Sequence, residues 1–215
     1  VKADTAIDRK VLIEPHYFGS LEYFTQILFR EELQLEINQN YSKQTYKNRM
    51  KLLGPQGVHH LSIPVHYKNH MPLKDVRIDY EQNWVKVHLG FIHSAYGKAP
   101  FFEHYYPIIE EVFSRRDIFL KDFLTGCLTT CLYLLGHSIS VSFTEKYVEM
   151  SGIDILDLRE QITVKKDYQL RHYYRPETYH QNFGNKFVNN LSILDALMCT
   201  GPACRQIIEK SAFSN

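Results

Sequence analysis

Val11, Leu12 and Ile13 form a continuous apolar run that stops at Glu14-Pro15, the pattern of a short buried strand ending in a loop. Ser20 then precedes Leu21, Phe24, Ile27 and Leu28, whose spacing predicts a helix with a serine cap. Leu33, Leu35 and Ile37 alternate with Gln34 and Glu36, as in a half-buried strand. Strand, helix, strand predicts a parallel pair joined by a crossover helix. In such a unit the loop after the first strand lies at the carboxyl edge of the sheet, where sites collect.

Residues 50–53 and 58–65 flank Gly54-Pro55-Gln56-Gly57, which predicts a hairpin. Pro64 lacks an amide donor, so the second run is an edge strand or ends there. Residues 69–74 form a polar loop, and Val76 and Ile78 suggest another short strand. From 82 to 137 the period becomes helical. Trp84, Val87, Phe91 and Ala95 fall on one face, and Pro100 opens a second helix through Tyr105, Ile109 and Val112. Pro107 is expected to kink or divide that helix. Asp117 is a candidate cap for a third helix ending near Gly136, and 139–143 reads as a strand. Residues 144–190 are rich in tyrosine and show no long periodic pattern. Ser192 with Asp195 has the form of a capping box for a short helix ending at Gly201, and Pro202 suits the start of the last helix. The expectation is an α/β fold: a small mixed sheet opening with a β-α-β unit, followed by a helix-rich second half. One domain is expected from 11 to 211, after a poorly ordered segment 1–10.

The totals bound this picture. A chain of 215 residues, 44% apolar, buries roughly 70% of its unfolded surface, enough for one core. The net charge is +1, from 25 basic and 24 acidic side chains, which disfavours a dedicated nucleic-acid binder. Cys127, Cys131, Cys199 and Cys204 form no Cys-x-x-Cys pair and fit burial in a reducing compartment. The first ten residues hold no apolar run, so no leader is expected there. The apolar stretch 123–135 is too short to span a membrane and contains threonines. A cytoplasmic location is therefore expected.

Four stretches carry candidate chemistry. The first is 40–51, with four cations, no acid, and interleaved tyrosines and amides. Arginine grips phosphate or carboxylate with a planar fork, and lysine offers a mobile point charge. The alternative is a solvated loop with Lys47 and Lys51 simply exposed. The glycine pattern of a P-loop is missing. The second is Glu14-Pro15-His16-Tyr17, where a histidine could serve as a general base. The third sets Lys86 and His88, after Trp84, near Tyr96 and Phe101-Phe102, with the wet face of a helix as the alternative. The fourth is Tyr179-His180-Gln181 with Leu191-Ser192-Ile193-Leu194-Asp195, where the helix dipole alone would explain Asp195. The eleven histidines show no accepted ligand pattern, so no metal is expected, and no cofactor is indicated.

These stretches, in this order, resemble the WbqC-like protein family. The resemblance runs through Glu14-Pro15-His16-Tyr17, Leu21-Glu22-Tyr23-Phe24, Tyr41-Ser42-Lys43, Asn48-Arg49, Leu61-Ser62-Ile63-Pro64-Val65 and Lys74-Asp75-Val76. It continues through Trp84, Tyr96, Ala99-Pro100-Phe101-Phe102, Leu191-Ser192-Ile193-Leu194-Asp195 and Gly201. Many members place His-Gln before the proline corresponding to Pro15, where this chain has Ile13-Glu14. Many also have Pro-Trp at Gly19-Ser20. The resemblance implies a role in bacterial surface polysaccharide of the O-antigen type, with aminoacyl or glycyl transfer onto a sugar intermediate. Arg49 and Lys43 would then hold the anion of a nucleotide-linked sugar or similar substrate. Asn48 and Tyr41 would orient it, and His16 or Glu14 would take a proton. The site is expected to combine these with Tyr17, Lys86, His88, Tyr96 and Asp195, and to leave Lys47 and Lys51 as surface charges. The alternative is a non-catalytic binding or accessory protein for a nucleic acid or a glycosyltransferase partner.

Overall fold

The branched aliphatic run Val11-Leu12-Ile13 sits wholly buried in β1 (Lys10–Ile13), the interior position that such runs occupy in parallel sheets. The structure is a computed structural model describing residues 10–149, 155–165, 167–171 and 173–212. The segment expected to be poorly ordered lies outside these residues except for Lys10, which opens β1.

Helix α1 (Leu21–Ile27) carries the chain from β1 to β2 (Glu32–Leu35), and the two strands pair in parallel from Lys10↔Glu32 to Ile13↔Leu35. Two further parallel strands complete the sheet. β7 (Ser140–Phe143) pairs with the outer side of β2, and β8 (Ile155–Asp157) pairs with the free side of β1. The order is β7-β2-β1-β8. β1 therefore has its sequence neighbour on one side and the last strand on the other, so the crevice between β1 and β8 is a topological switch point.

The antiparallel strands form two separate ribbons. β3 (Arg49–Gly54) and β4 (Gly57–Ser62) make the expected hairpin, closed by Pro55-Gln56 with Gly57 at φ 104°. β4 ends before Pro64, and β5 (Val65–His66) pairs with β6 (Arg77–Ile78). Helices α2 (Trp84–Tyr96), α3 (Phe102–Ser114), α4 (Leu120–Leu134), α5 (Ile193–Thr200) and α6 (Cys204–Ser211) supply the helix-rich second half. All four cysteines are free and buried. Among the described residues, no helix is long and apolar enough to cross a membrane.

Several local expectations give way to tertiary partners. The buried face of α2 is Trp84, His88, Ile92, Ala95 and Tyr96, while Val87 is 60% exposed. Pro107 lies inside α3, which runs undivided. Ser20 does not cap α1. Its first amides donate instead to the Leu191 carbonyl (3.0 Å) and to Asn190 Oδ1 (3.2 Å). Asp117 pairs with Arg115 at 3.2 Å, and Leu120 at the start of α4 donates to the Val76 carbonyl at 2.8 Å. Ser192 accepts from Leu194 N at 3.4 Å, but its hydroxyl also donates to the Phe18 carbonyl at 2.6 Å. The capping box is not formed, because the Asp195 carboxylate turns into the core.

Candidate functional site

Glu14 follows β1 at the carboxyl edge, and Arg159 and Glu160 follow β8 beside it. A third segment closes over them. The Tyr17 amide donates to the Tyr46 carbonyl at 2.8 Å, which straps the 41–51 stretch onto the end of β1. Within the strap, Thr45 Oγ1 donates to the Ser42 carbonyl at 2.9 Å and Asn48 N to the Thr45 carbonyl at 3.1 Å. The three segments enclose a cavity of about 380 Å³. Glu14, His16, Lys47, Arg159, Glu160 and Lys165 supply its titratable wall.

Glu14, His16 and Lys47 are buried and only partly satisfied among the described residues, while Glu160 and Lys165 are exposed at the cavity's mouth. Both Glu14 carboxylate oxygens lie 3.2 Å from the Glu160 amide, which donates to them. Burial raises the Glu14 pKa above its ordinary 4.5, against the pull of Lys47 and of that amide. His16 is sandwiched between the rings of Tyr23 (4.4 Å between centroids) and Tyr46 (5.2 Å). Its Nδ1 is buried and has no hydrogen-bond partner among the described residues. Burial, then the nearby Lys47 charge, push its pKa down to about 3, so it is neutral at pH 7. Lys47 is only 3% exposed. The expectation that it is a surface charge fails because the strap buries it. Lys51 is half-buried as well, with its amine over the Tyr46 ring, 5.8 Å from the centroid. Burial, then Arg171, lower its pKa, with Glu22 opposing them. Gln44 and Glu160 line the same cavity with left-handed backbones at φ 60° and 55°. Each costs a non-glycine residue roughly 1 kcal/mol, and such strain clusters at functional sites.

Of the residues singled out from the sequence, Glu14 and His16 line this cavity. Lys43 is exposed between its lining residues Ser42 and Gln44. Arg49 stands on the outer face of the hairpin, with Nε donating to Ser62 Oγ at 3.2 Å. Asn48 is buried. It donates to the Ile63 carbonyl at 3.2 Å and leaves Oδ1 without a partner among the described residues. Tyr41 packs edge-to-face on Tyr67, with its hydroxyl buried and unpartnered among the described residues. Tyr17 faces the core, its hydroxyl 2.9 Å from His88 Nδ1. Burial pushes the His88 pKa down to about 4. Tyr96 donates to Asp195 Oδ1 at 2.8 Å. Asp195 also accepts from Tyr179 (2.6 Å) and Gln181 (3.0 Å), and burial raises its pKa despite these three bonds. Lys86 lines a different groove, between α2 and α3.

The sequence reading missed Lys47, Arg159, Glu160 and Lys165. Arg159 and Glu160 lay in the stretch without periodicity, and β8, which delivers them, is three residues long. The one available signal was Ile155-Leu156 followed by charges, a buried strand ending at an edge. Among the described residues, no group of three His, Cys, Asp or Glu is placed to hold a metal ion.

The buried acid, the neutral histidine and the lysine thus surround a cavity at the switch point of a parallel α/β sheet, the position where ligand sites of such sheets tend to lie. The chain belongs to the WbqC-like protein family, whose model matches residues 14–176 and 164–207. No curated protein and no solved structure matches it.

Proposed function

We propose that this cavity is the active site of a transferase acting on an anionic intermediate, such as a nucleotide-linked sugar, in bacterial surface polysaccharide of the O-antigen type. The reaction is aminoacyl or glycyl transfer from an activated donor. The observation that carries the reading is the shared wall of Glu14, unpartnered His16 and buried Lys47. Lys47, with Lys43 and Arg49 farther out, attracts the phosphate or carboxylate. Glu14 takes the acceptor's proton as the acceptor nitrogen or oxygen attacks the donor carbonyl. The donor's leaving group departs with the bonding electron pair. A carboxylate raised by burial is a better base near neutrality, whereas a histidine with a pKa of about 3 is a poor one. His16 therefore serves through its free Nδ1, as a hydrogen-bond acceptor or donor according to tautomer. Tyr17, Tyr41, Asn48, His88, Tyr96 and Asp195 hold the walls rather than touch the substrate. The unpaired cysteines support a reducing compartment such as the cytoplasm.

The test is anion binding. Inorganic pyrophosphate titrated into the protein by calorimetry should bind, and Lys47→Met should weaken it at least about 10-fold, the effect of one charged hydrogen bond. Unchanged affinity in a folded Lys47→Met protein removes Lys47 from the site and the reading with it.

A further inference from the structure

The acid-base cavity does not end at its own walls. On one side it shares Ser42 and Glu160 with a recess of about 540 Å³ lined by Asn38, Gln39, Asn40, Ser42, Tyr147 and Glu160. On the other it shares Tyr46 and Val164 with a smaller recess lined by Lys51, Asp167, Arg171 and Asn190. Through these shared lining residues the three adjoin as one groove, whose central part lies at the carboxyl edge of the sheet.

Charge divides this groove. Among the described residues, the first recess holds Glu160 as its one charged lining residue. The central cavity carries Lys47, Arg159 and Lys165 against Glu14 and Glu160. The last recess carries Lys51 and Arg171 against Asp167. Arg159 is paired with Asp157 and Glu36, and Arg171 with Glu22, so among the described residues the cations left for an anionic group are Lys47 and Lys165 in the central cavity and Lys51 in the last recess, away from Glu160 in the first.

The first recess also has its own donors and acceptors. Gln39 Nε2 donates to Glu160 Oε1 at 2.5 Å, while Gln39 Oε1 is buried with no partner among the described residues. Asn38 is fixed by donating to the Thr144 carbonyl at 2.7 Å and to Thr144 Oγ1 at 3.0 Å. Asn40 is exposed at the rim. Tyr147 is 49% exposed, and the Arg159 guanidinium lies 5.2 Å from its ring centroid. Amides and a carboxylate both accept from hydroxyls, amides also donate, and an aromatic ring covers a C–H face. That is the chemistry of a neutral polyol.

Glu160 couples the two halves. Its backbone amide donates to Glu14, and its side chain accepts from Gln39. The left-handed backbone at Glu160 belongs to the residue that serves both.

We propose that the recess over Asn38, Gln39, Asn40 and Tyr147 is a hydroxyl-reading subsite for the ring of a sugar. The sugar's anionic substituent then points through the central cavity toward Lys47 and Lys51. The proposal rests on the transferase reading and adds the direction in which the substrate lies.

The experiment compares inorganic phosphate with the 1-phosphates of glucose, galactose, mannose and N-acetylglucosamine by calorimetry. At least one sugar phosphate should bind the wild type about 10-fold or more tighter than phosphate. Asn40→Ala and Tyr147→Ala, both at exposed positions, should bring that ratio toward one and leave phosphate affinity and Tm unchanged. Lys47→Met should weaken phosphate and sugar phosphate alike. If phosphate binds and every ratio is one, the hydroxyl subsite is wrong and the anion site stands. If nothing binds, both fall. Ratios that survive Asn40→Ala and Tyr147→Ala place the sugar elsewhere and overturn the proposal.

Discussion

Acidification probes the neutral, buried state of His16. Burial and Lys47 hold its pKa at about 3, against 6.5 in an ordinary histidine. The unfolded chain takes up a proton near 6.5, and the folded protein resists until about pH 3. Between these values the folded state binds fewer protons. Stability contributed by neutral His16 is therefore complete above pH 6.5 and lost as pH falls through this window. The slope approaches about 1.4 kcal/mol per pH unit, and protonating the ring inside the fold costs roughly 5 kcal/mol in full. That is a large part of the roughly 5–15 kcal/mol holding a typical domain together. His88, lowered to about 4 by burial, acts in the same direction. Glu14 and Asp195 act oppositely, because raised carboxyls favour the fold as they protonate. Comparison with His16→Phe isolates the single contribution while keeping a ring between Tyr23 and Tyr46. Urea denaturation from pH 7.5 to 4.5 supplies the free energies. The wild-type advantage should shrink by roughly 2 kcal/mol between pH 6.5 and 4.5. A difference that stays constant with pH would falsify the neutral buried histidine.

Two further outcomes follow from neighbouring charges. Glu14 has a raised pKa, so its ionisation burdens the fold, and that burden grows as pH rises through the folded value. Glu14→Gln should therefore abolish turnover yet raise Tm by about 2–4 °C at pH 8, the shift expected from about 1 kcal/mol in a chain of this size. Scanning calorimetry at pH 8 and pH 4.5 decides it, since the gain should vanish at the lower pH. Arg171 forks onto the fully buried Glu22 at 2.6 and 2.5 Å, with Asn190 donating to the same carboxylate at 3.0 Å. Arg171→Met leaves that charge unopposed and should cost roughly 3–5 kcal/mol in urea titration. Adding Glu22→Gln should recover much of the loss, and no recovery in the double variant counts against the ion-pair account.

The β1-α1-β2 unit was legible because its signals are local. Val11-Leu12-Ile13, the helical spacing from Leu21 and the alternation at Leu33 and Leu35 each need only nearby residues. The hairpin was legible for the same reason, through Gly54 and Gly57. β8 was not, because three residues acquire strand geometry only by pairing with β1 across most of the chain. The phase of α2 failed on a single choice. Hydrophobicity favours Val87, but the core takes His88, because the Tyr17 hydroxyl gives its ring a partner. Ser20 and Asp117 look like caps in sequence, yet Asn190, Leu191 and Val76 do that work from elsewhere in the chain. Lys47 shows the limit for the site. A lysine among tyrosines reads as surface, and the bond from Tyr17 to Tyr46 that buries it is a tertiary fact. Glu14 and His16 were legible because the end of a first parallel strand is where a site is sought.

The same sheet edge carries a second buried carboxylate, and the contrast between the two separates support from site. Glu36 follows β2 and is wholly buried. It accepts from Asn38 N (2.8 Å), Thr144 Oγ1 (2.8 Å), Val148 N (3.4 Å) and Arg159 Nη1 (3.2 Å). A carboxylate offers about four acceptor sites, so Glu36 has no capacity left for a ligand. Arg159 is held in turn by Asp157 and the Val148 carbonyl. Glu14 is buried almost as deeply but accepts from backbone amides alone among the described residues, those of Glu160 and of Glu14 itself. His16 beside it has an idle nitrogen, and Lys47 adds a charge that a closed core would exclude. A half-satisfied polar cluster is less stable than an apolar one. Glu36 is thus completed by side-chain and backbone donors together, whereas Glu14 and His16 line the cavity with fewer partners among the described residues, and that contrast is what favours Glu14 over Glu36 as the acid of the proposed site.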